Sequence, residues 1–476
     1  VQIPSQRLSR FEPLLGPEFA AIEAVAERAR RDFAGRAIWH VSSTARGGGV
    51  AEMLWALLPY VRGAGVDTRW AVLREEPEFF VLTKRLHNNL HGHPGDGGPL
   101  GKSERRLYEE SLASSASEIE NPPRADDVVY LHDPQTAGLI PEVQAGGTKV
   151  VWRCHVGADE PNELVRRAWD FLLPYVGEAD ACVFSRREYF WEGLDEDRCW
   201  VMPPSLDPFC PKNEELGMGT VESILAEIGL IEIPPDGPPL FIRGDGSPGR
   251  VERPGEILQE SPLPLGAKLV AQVSRWDRLK DHLGVLRCFA EHVADPEVHL
   301  VLAGPADGSV ADDPEGLEVY EELAGAWRQL PEESRRRAHI VILPMNDLEE
   351  NGAMVNAIQR RADVLVQKSL AEGFGMTVAE GMWKERAVVA SRVGGIQDQI
   401  VDGQSGVLID DPRDLRAFGA AISALLADPE RAGLMGDAAR RRVIDRFLGI
   451  QRLREYVELV ASLVPSPAGP AAPPPR

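Results

Sequence analysis

Glu372 and Glu380 stand on either side of the turn Gly373, Phe374, Gly375. Before the turn, Val364 to Val366 is an apolar run of the right length for a buried parallel strand, and after it Met376 to Trp383 reads as helix. Strand, glycine turn and helix in that order set backbone N–H groups and a positive helix end at the carboxyl edge of a sheet. Such an edge holds an anion, most often a phosphate. Gly373, Phe374, Gly375, Met376 and Thr377 are therefore candidate phosphate-binding positions. A carboxylate beside a phosphate is electrostatically costly unless it binds something else, and sugar or ribose hydroxyls suit Glu372 and Glu380. The same spacing also fits a glycine-rich connection with two solvated glutamates.

A basic cluster in the same half of the chain sharpens the reading. Arg275, Arg278 and Lys280 follow the apolar run Ala267–Ser274 directly. Arginine offers planar, bidentate phosphate contacts and lysine a point charge. With the glycine turn, this loop suggests a diphosphate clamped from two sides; ordinary pairing with Asp277 and Asp281 is the alternative. A second glycine loop, Gly47, Gly48 and Gly49 beside Arg46, lies between the apolar run Ala37–Ser42 and helical sequence from Met53 to Arg62. Its spacing is not that of a dinucleotide fingerprint. Three glycines allow close backbone approach to a ligand, so Gly48 and Gly49 are candidate donor contacts, unless the loop merely turns the chain. Val128–Asp133 and Lys149–His155 are two more buried strands ending in polar residues. Open α/β sheets place ligands at strand carboxyl ends, which makes His132, Asp133, Gln135 and His155 pocket candidates. His87 and His91 would share a helix face, but no carboxylate sits among them, and no metal site is expected.

The elements that must carry these residues alternate strand with helix through two halves. The first half runs from an amphipathic helix, Phe19 to Phe33, through strands near 37, 68, 128, 149, 181 and 200. The second begins at Ala267 and continues past the Glu372 motif to helices ending near Leu463. Two such halves imply two Rossmann-like domains. The expected boundaries are 1–208 for an acceptor domain and 209–446 for a donor domain, with a helix at about 447–463 returning to the first. The stretch from 212 to 265, rich in Pro, Gly and Glu, shows little periodicity and suits an inserted surface loop, with the insertion centred near 230–265. The tail, 464–476, is low-complexity and expected to be disordered.

Composition narrows the partners. The 476 residues carry a net charge of −22, which argues against nucleic acid or an anionic membrane as partner. No apolar run reaches the length of a membrane span and no signal-peptide core opens the sequence. The five cysteines form no C-x-x-C pair and read as reduced thiols of a cytoplasmic chain.

Together, Ser274–Arg275, Lys280, Glu372 with Glu380, and the later Gly394–Gly395 turn resemble the retaining nucleotide-sugar glycosyltransferases of family 4. Within it, His40–Thr44 before Gly47–Glu52, Glu78–Phe80, Lys84–His91, His132–Gln135, Met202–Asp207 and Gln367–Ser369 look like the trehalose glycosyltransferring synthases. The resemblance implies a GT-B fold: two facing Rossmann-like domains with the active site in the interdomain cleft. It also implies transfer of glucose from a nucleoside diphosphate glucose to free glucose, giving α,α-trehalose; trehalose phosphorylases share much of the pattern. By the same likeness Glu380 would hold the ribose, Glu372 the 3- and 4-hydroxyls of the donor glucose, and His155 its 6-hydroxyl. Arg275, Lys280 and the amides of Gly375 to Thr377 would neutralise the leaving diphosphate, and Asp133 and Gln135 would face the acceptor. No cofactor is required in this scheme, Mg²⁺ being at most a stimulant, and a homodimer is the expected assembly.

Overall fold

The computed structural model describes residues 1–45, 49–117, 122–232, 237–306 and 315–464. Within them the chain divides into two compact units. One takes residues 1–45, 50–205 and 448–464; the other takes residue 49 and 206–447. The tail from 465 and the loop residues Arg46, Gly47 and Gly48 lie outside the described residues.

The first unit is built on six parallel strands: β1 Ala37–Ser42, β2 Asp67–Val72, β3 Val128–His132, β4 Lys149–Cys154, β5 Ala181–Phe184 and β6 Cys199–Val201. Their order is β2-β1-β3-β4-β5-β6. The central strands are buried on both faces, as strands of a parallel sheet are. Trp39, Val41, Val129, Leu131, Trp152 and Cys154 point into one continuous core. The opposite face carries His40, Tyr130, His132 and Arg153, all buried. Their rings stack in a row, His40 on Tyr130 at 4.9 Å and on His132 at 5.4 Å between centroids. The C-terminal helix Leu453–Leu463 covers this face, its Tyr456 ring 5.3 Å from the Arg153 guanidinium, and packs on the helix Phe19–Asp32.

The second unit has a seven-stranded sheet and a hairpin. In chain order the strands are β7 Leu240–Ile242, β8 Pro248–Arg250, β9 Glu256–Leu258, β10 Lys268–Val273, β11 Val298–Pro305, β12 Ala338–Leu343, β13 Val364–Gln367, β14 Ala387–Ser391 and β15 Val407–Ile409. The sheet order is β15-β14-β13-β10-β11-β12-β9, parallel except for β9. Here the 212–265 stretch departs from its reading as an unpatterned insertion. Met218–Glu227 is a helix, β7 and β8 form the hairpin, and β9 closes the sheet edge against β12. Strands of three residues are too short to show a period of two, and the prolines hide what remains. The hairpin is anchored by Arg243, which pairs with Asp347 at 2.8 Å and Glu349 at 2.9 Å.

Candidate active site

Each sheet reverses its strand order once, and open α/β sheets bind ligands at such switch points. In the second unit the switch lies between β10 and β13, with β11 on the far side of β10. Arg275 and Lys280 follow β10; Glu372 to Thr377 follow β13. The sequence-predicted donor residues therefore arise from two adjacent strand ends.

The two loops are tied together beneath the site. Leu370 N donates to Leu279 O at 2.7 Å. Gln272 Nε2 donates to Lys280 O at 2.9 Å, and its Oε1 accepts from Lys368 N at 3.0 Å. The buried Lys368 ammonium pairs with Asp281, which in turn accepts from Gly284 N at the start of the helix His282–His292. The Lys280 ammonium pairs with the Glu372 carboxylate. Glu372 also accepts from Ser369 Oγ at 3.2 Å; Gln367 Nε2 donates to Ser369 Oγ at 2.9 Å, and Thr377 Oγ1 donates to Gln367 Oε1 at 2.7 Å. One hydrogen-bonded chain thus runs from the first turn of the helix Met376–Trp383 to Lys280. Arg275 is the more open cation, its side chain 27 % exposed against 17 % for Lys280.

Arg278 does not join them. Its guanidinium pairs with Glu318 at 3.0 Å and Glu322 at 2.9 Å on the helix Gly316–Arg328. Arg278 and Lys280 share one 3-10 turn, in which residues two apart point to different sides. The cluster of three basic residues is corrected to a pair.

The glycine turn is shaped by need. Gly375 has φ 87°, open to glycine at little cost. A side chain at Gly395 would meet Phe374 Cα at 2.7 Å and Gly373 O at 2.8 Å, so only glycine lets the neighbouring loop close on the turn. Gly395 N donates to Gly373 O at 3.2 Å and Gln399 Nε2 donates to the carbonyls of Phe374 and Gly375.

Glu380 is buried, 1 % exposed, inside the helix that begins at Met376. Lys212 pairs with its Oε1 at 2.7 Å and Gln359 Nε2 donates to its Oε2 at 3.0 Å. Burial alone would raise its pKa; Lys212 and Lys384 reverse that and hold it below the ordinary carboxylate range. Burial pushes Lys384 down to about 7, against the pull of Glu380. Lys212 carries no motif and follows Pro211 in the unpatterned stretch, so nothing in the sequence marks it.

In the first unit the switch lies between β1 and β3. Asp133, just past β3, has φ 61°, and its Oδ1 accepts from His155 N at 2.7 Å, holding the end of β4. His155 stacks on His132 at 6.0 Å, with its Nδ1 3.5 Å from Ser185 Oγ. Burial, then Arg153, keeps the imidazole of His155 neutral far below its usual range. His155 Nε2, His132 Nδ1 and Gln135 Oε1 are buried with no hydrogen-bond partner among the described residues. Buried polar atoms are normally satisfied, so three such atoms at adjoining strand ends mark a place for a hydroxyl-bearing ligand. Of the glycine loop, Gly48 lies outside the described residues; Gly49 opens the helix Gly49–Gly63 and groups with the second unit.

His87, in the last turn of its helix, and His91 lie on the same side of the chain, as their spacing of four predicts. The helix ends at Leu90, His91 caps it, and the rings meet edge-on at 5.0 Å. No group of three metal-ligating side chains occurs among the described residues, and no described helix is long and apolar enough to cross a membrane.

Comparison with known proteins fits this geometry. The family model for the trehalose synthase N-terminal domain matches residues 40–191, and that for group 1 glycosyl transferases matches residues 255–442. A trehalose synthase of Rubrobacter xylanophilus is 36 % identical over 94 % of this chain and 94 % of its own length. A trehalose phosphorylase of Pleurotus sajor-caju is 27 % identical over 84 % of this chain and 54 % of its own. Among solved structures, the UDP-forming α,α-trehalose-phosphate synthase of Burkholderia xenovorans, in complex with glucose-6-phosphate, superposes with a TM-score of 0.65. It is 14 % identical and covers 90 % of this chain and all of its own. At that identity the likeness concerns the fold, which is GT-B.

Proposed function

The chain belongs to the trehalose synthase family of glycosyltransferases, and from that premise we propose that it transfers glucose from a nucleoside diphosphate glucose to free glucose, with retention, to give α,α-trehalose. The observation that carries the reading is the meeting of Arg275, Lys280, Glu372 and the start of the helix Met376–Trp383 at the switch point of one sheet.

In this reaction negative charge grows on the departing diphosphate. Arg275, Lys280 and the first amides of the Met376 helix are fixed before the reaction, so they stabilise that charge without reorganising. With Arg275 and Lys280 in that role no metal cofactor is required, although Mg²⁺ would be free to accompany the nucleotide. Glu372, held by Lys280 and Ser369, accepts from the 3- and 4-hydroxyls of the donor glucose. Glu380 accepts from the ribose: its carboxylate has about four acceptor sites, and Lys212 and Gln359 occupy only part of them. His155 Nε2 serves the 6-hydroxyl, and Gln135 with Asp133 faces the acceptor. Gly48 and Gly49 would approach the phosphates or the acceptor.

As the resemblance to retaining enzymes implies, displacement proceeds on the face the leaving group occupies. The acceptor oxygen bonds to the anomeric carbon as the bond to the diphosphate oxygen breaks, and the acceptor proton passes to that oxygen. Configuration is thereby retained.

The match to trehalose phosphorylase supports a second reading, phosphorolysis of trehalose. One experiment separates them. The protein is incubated with glucose plus each nucleoside diphosphate glucose, and separately with trehalose plus phosphate, and the sugars are identified by NMR. α,α-Trehalose in the first arm is the expected result; glucose 1-phosphate from the second arm alone would replace synthase by phosphorylase.

A further inference from the structure

Cys182 on β5 and Cys199 on β6 are register partners in neighbouring parallel strands. Paired strands run about 4.8 Å apart, within the Cα separation of roughly 4.4–6.8 Å that a disulfide bridges. Both thiols lie on one sheet face: Cys182 in the core of the first unit, Cys199 packed against its margin. Neither is already in a disulfide. Cys182 is 4 % exposed, whereas Cys199 is half-buried with Sγ 3.4 Å from Asp195 O. β6 has only three residues and pairs only with β5, so it has room to make the small shift that bond formation requires.

We propose that Cys182 and Cys199 are a reversible cross-strand dithiol–disulfide pair, a modification site for small disulfides of the oxidised glutathione class. Cys199 is the attacking thiol, being the more accessible. The neighbouring Cys182 thiol holds Cys199 below the ordinary thiol range, and Cys199 together with burial pushes Cys182 up. The Cys199 thiolate attacks one sulfur of oxidised glutathione, breaking its S–S bond; one glutathione leaves and takes up the proton Cys199 gave to solvent. Cys182 then loses its proton and attacks Cys199 Sγ, expelling the second glutathione, which takes up that proton. Two protein thiols are oxidised by two electrons, and one glutathione disulfide is reduced to two thiols. Closure would fix β6 just before Met202, whose carbonyl accepts from Arg153 Nη2 at 3.0 Å, and just before the chain leaves the first unit at Ser205.

The test equilibrates the full chain in graded mixtures of reduced and oxidised glutathione, quenches with acid and counts thiols in denaturant. The wild type should fall from its five thiols to three, lose the mass of two hydrogens and yield a linked pair of peptides carrying Cys182 and Cys199. Cys182→Ala should stop at a glutathione adduct on Cys199. Cys210→Ser, which removes the other half-buried thiol, should still lose two. The proposal is overturned if all five thiols persist at the most oxidising ratio. It is equally overturned if wild-type Cys199 holds glutathione without closing, or if the linked peptides contain Cys154 or Cys288.

Discussion

Lys280 answers to two negative groups: Glu372, which it pairs with, and the diphosphate it is proposed to meet during transfer. Lys280→Ala should therefore lower kcat by on the order of 10²-fold or more while circular dichroism stays that of the wild type. Turnover within a few-fold of normal would remove the clamp from the mechanism. Glu380 lies deeper. Glu380→Ala should raise the KM for the nucleotide sugar and, by leaving Lys212 without its buried partner, destabilise the fold by roughly 3 kcal/mol. An unchanged donor KM alongside a lowered midpoint in urea would leave Glu380 a purely structural role. At this scale the sequence speaks through chemistry at strand ends: Arg275, Lys280 and Glu372 are legible because each follows a buried apolar run. Arg278 looks the same in one dimension, and only the 3-10 turn reveals that it serves Glu318 and Glu322. Lys212 and Gln359 become partners of Glu380 only when distant segments fold together.

The elements were readable in proportion to their length and burial. β1, β10 and β13 and the helix Met376–Trp383 lie where apolar runs and the glycine turn place them, because strands covered on both faces need continuous hydrophobic sequence. β7, β8 and β9 are not readable, since three residues are too few to carry a period. The loop after β14 can be tested at Gly395. A methyl group there has no room against Phe374 Cα, so Gly395→Ala should displace the Gly373–Gly375 turn and weaken donor binding more than it slows bound substrate. Donor KM and kcat measured side by side decide it; a variant with both unchanged would show that the turn is not part of the site. The C-terminal helix invites a second test. Tyr456→Ala removes an aromatic lid from Arg153 and should cost about 3 kcal/mol of stability, read from the urea midpoint.

Across the molecule, buried histidines should make the fold less stable as pH falls. His40, His132 and His155 in the first unit and His282, His299 and His339 in the second are all held below the ordinary imidazole range, chiefly by burial. His40 and His339 fall to about 3, His282 and His299 to about 4. Each is neutral when folded and binds a proton more readily when unfolded. Their contribution is whole above the unfolded value near 6.5 and is lost as pH falls toward the folded values. Thermal midpoints should decline from pH 6.5 to pH 4. Replacing His339 by Gln should flatten that decline; an unaltered slope would transfer the effect to other groups.

The interruption of the first unit by the second has a consequence for how the protein is made. Residues 206–447 are contiguous and complete before the ribosome reaches Leu448, whereas the sheet face bearing Arg153 and Tyr130 awaits the helix Leu453–Leu463, which is made only after them. Emergence order and maturation order are thus inverted: the half born first is finished second, and until then its ring-lined polar face stands open to water.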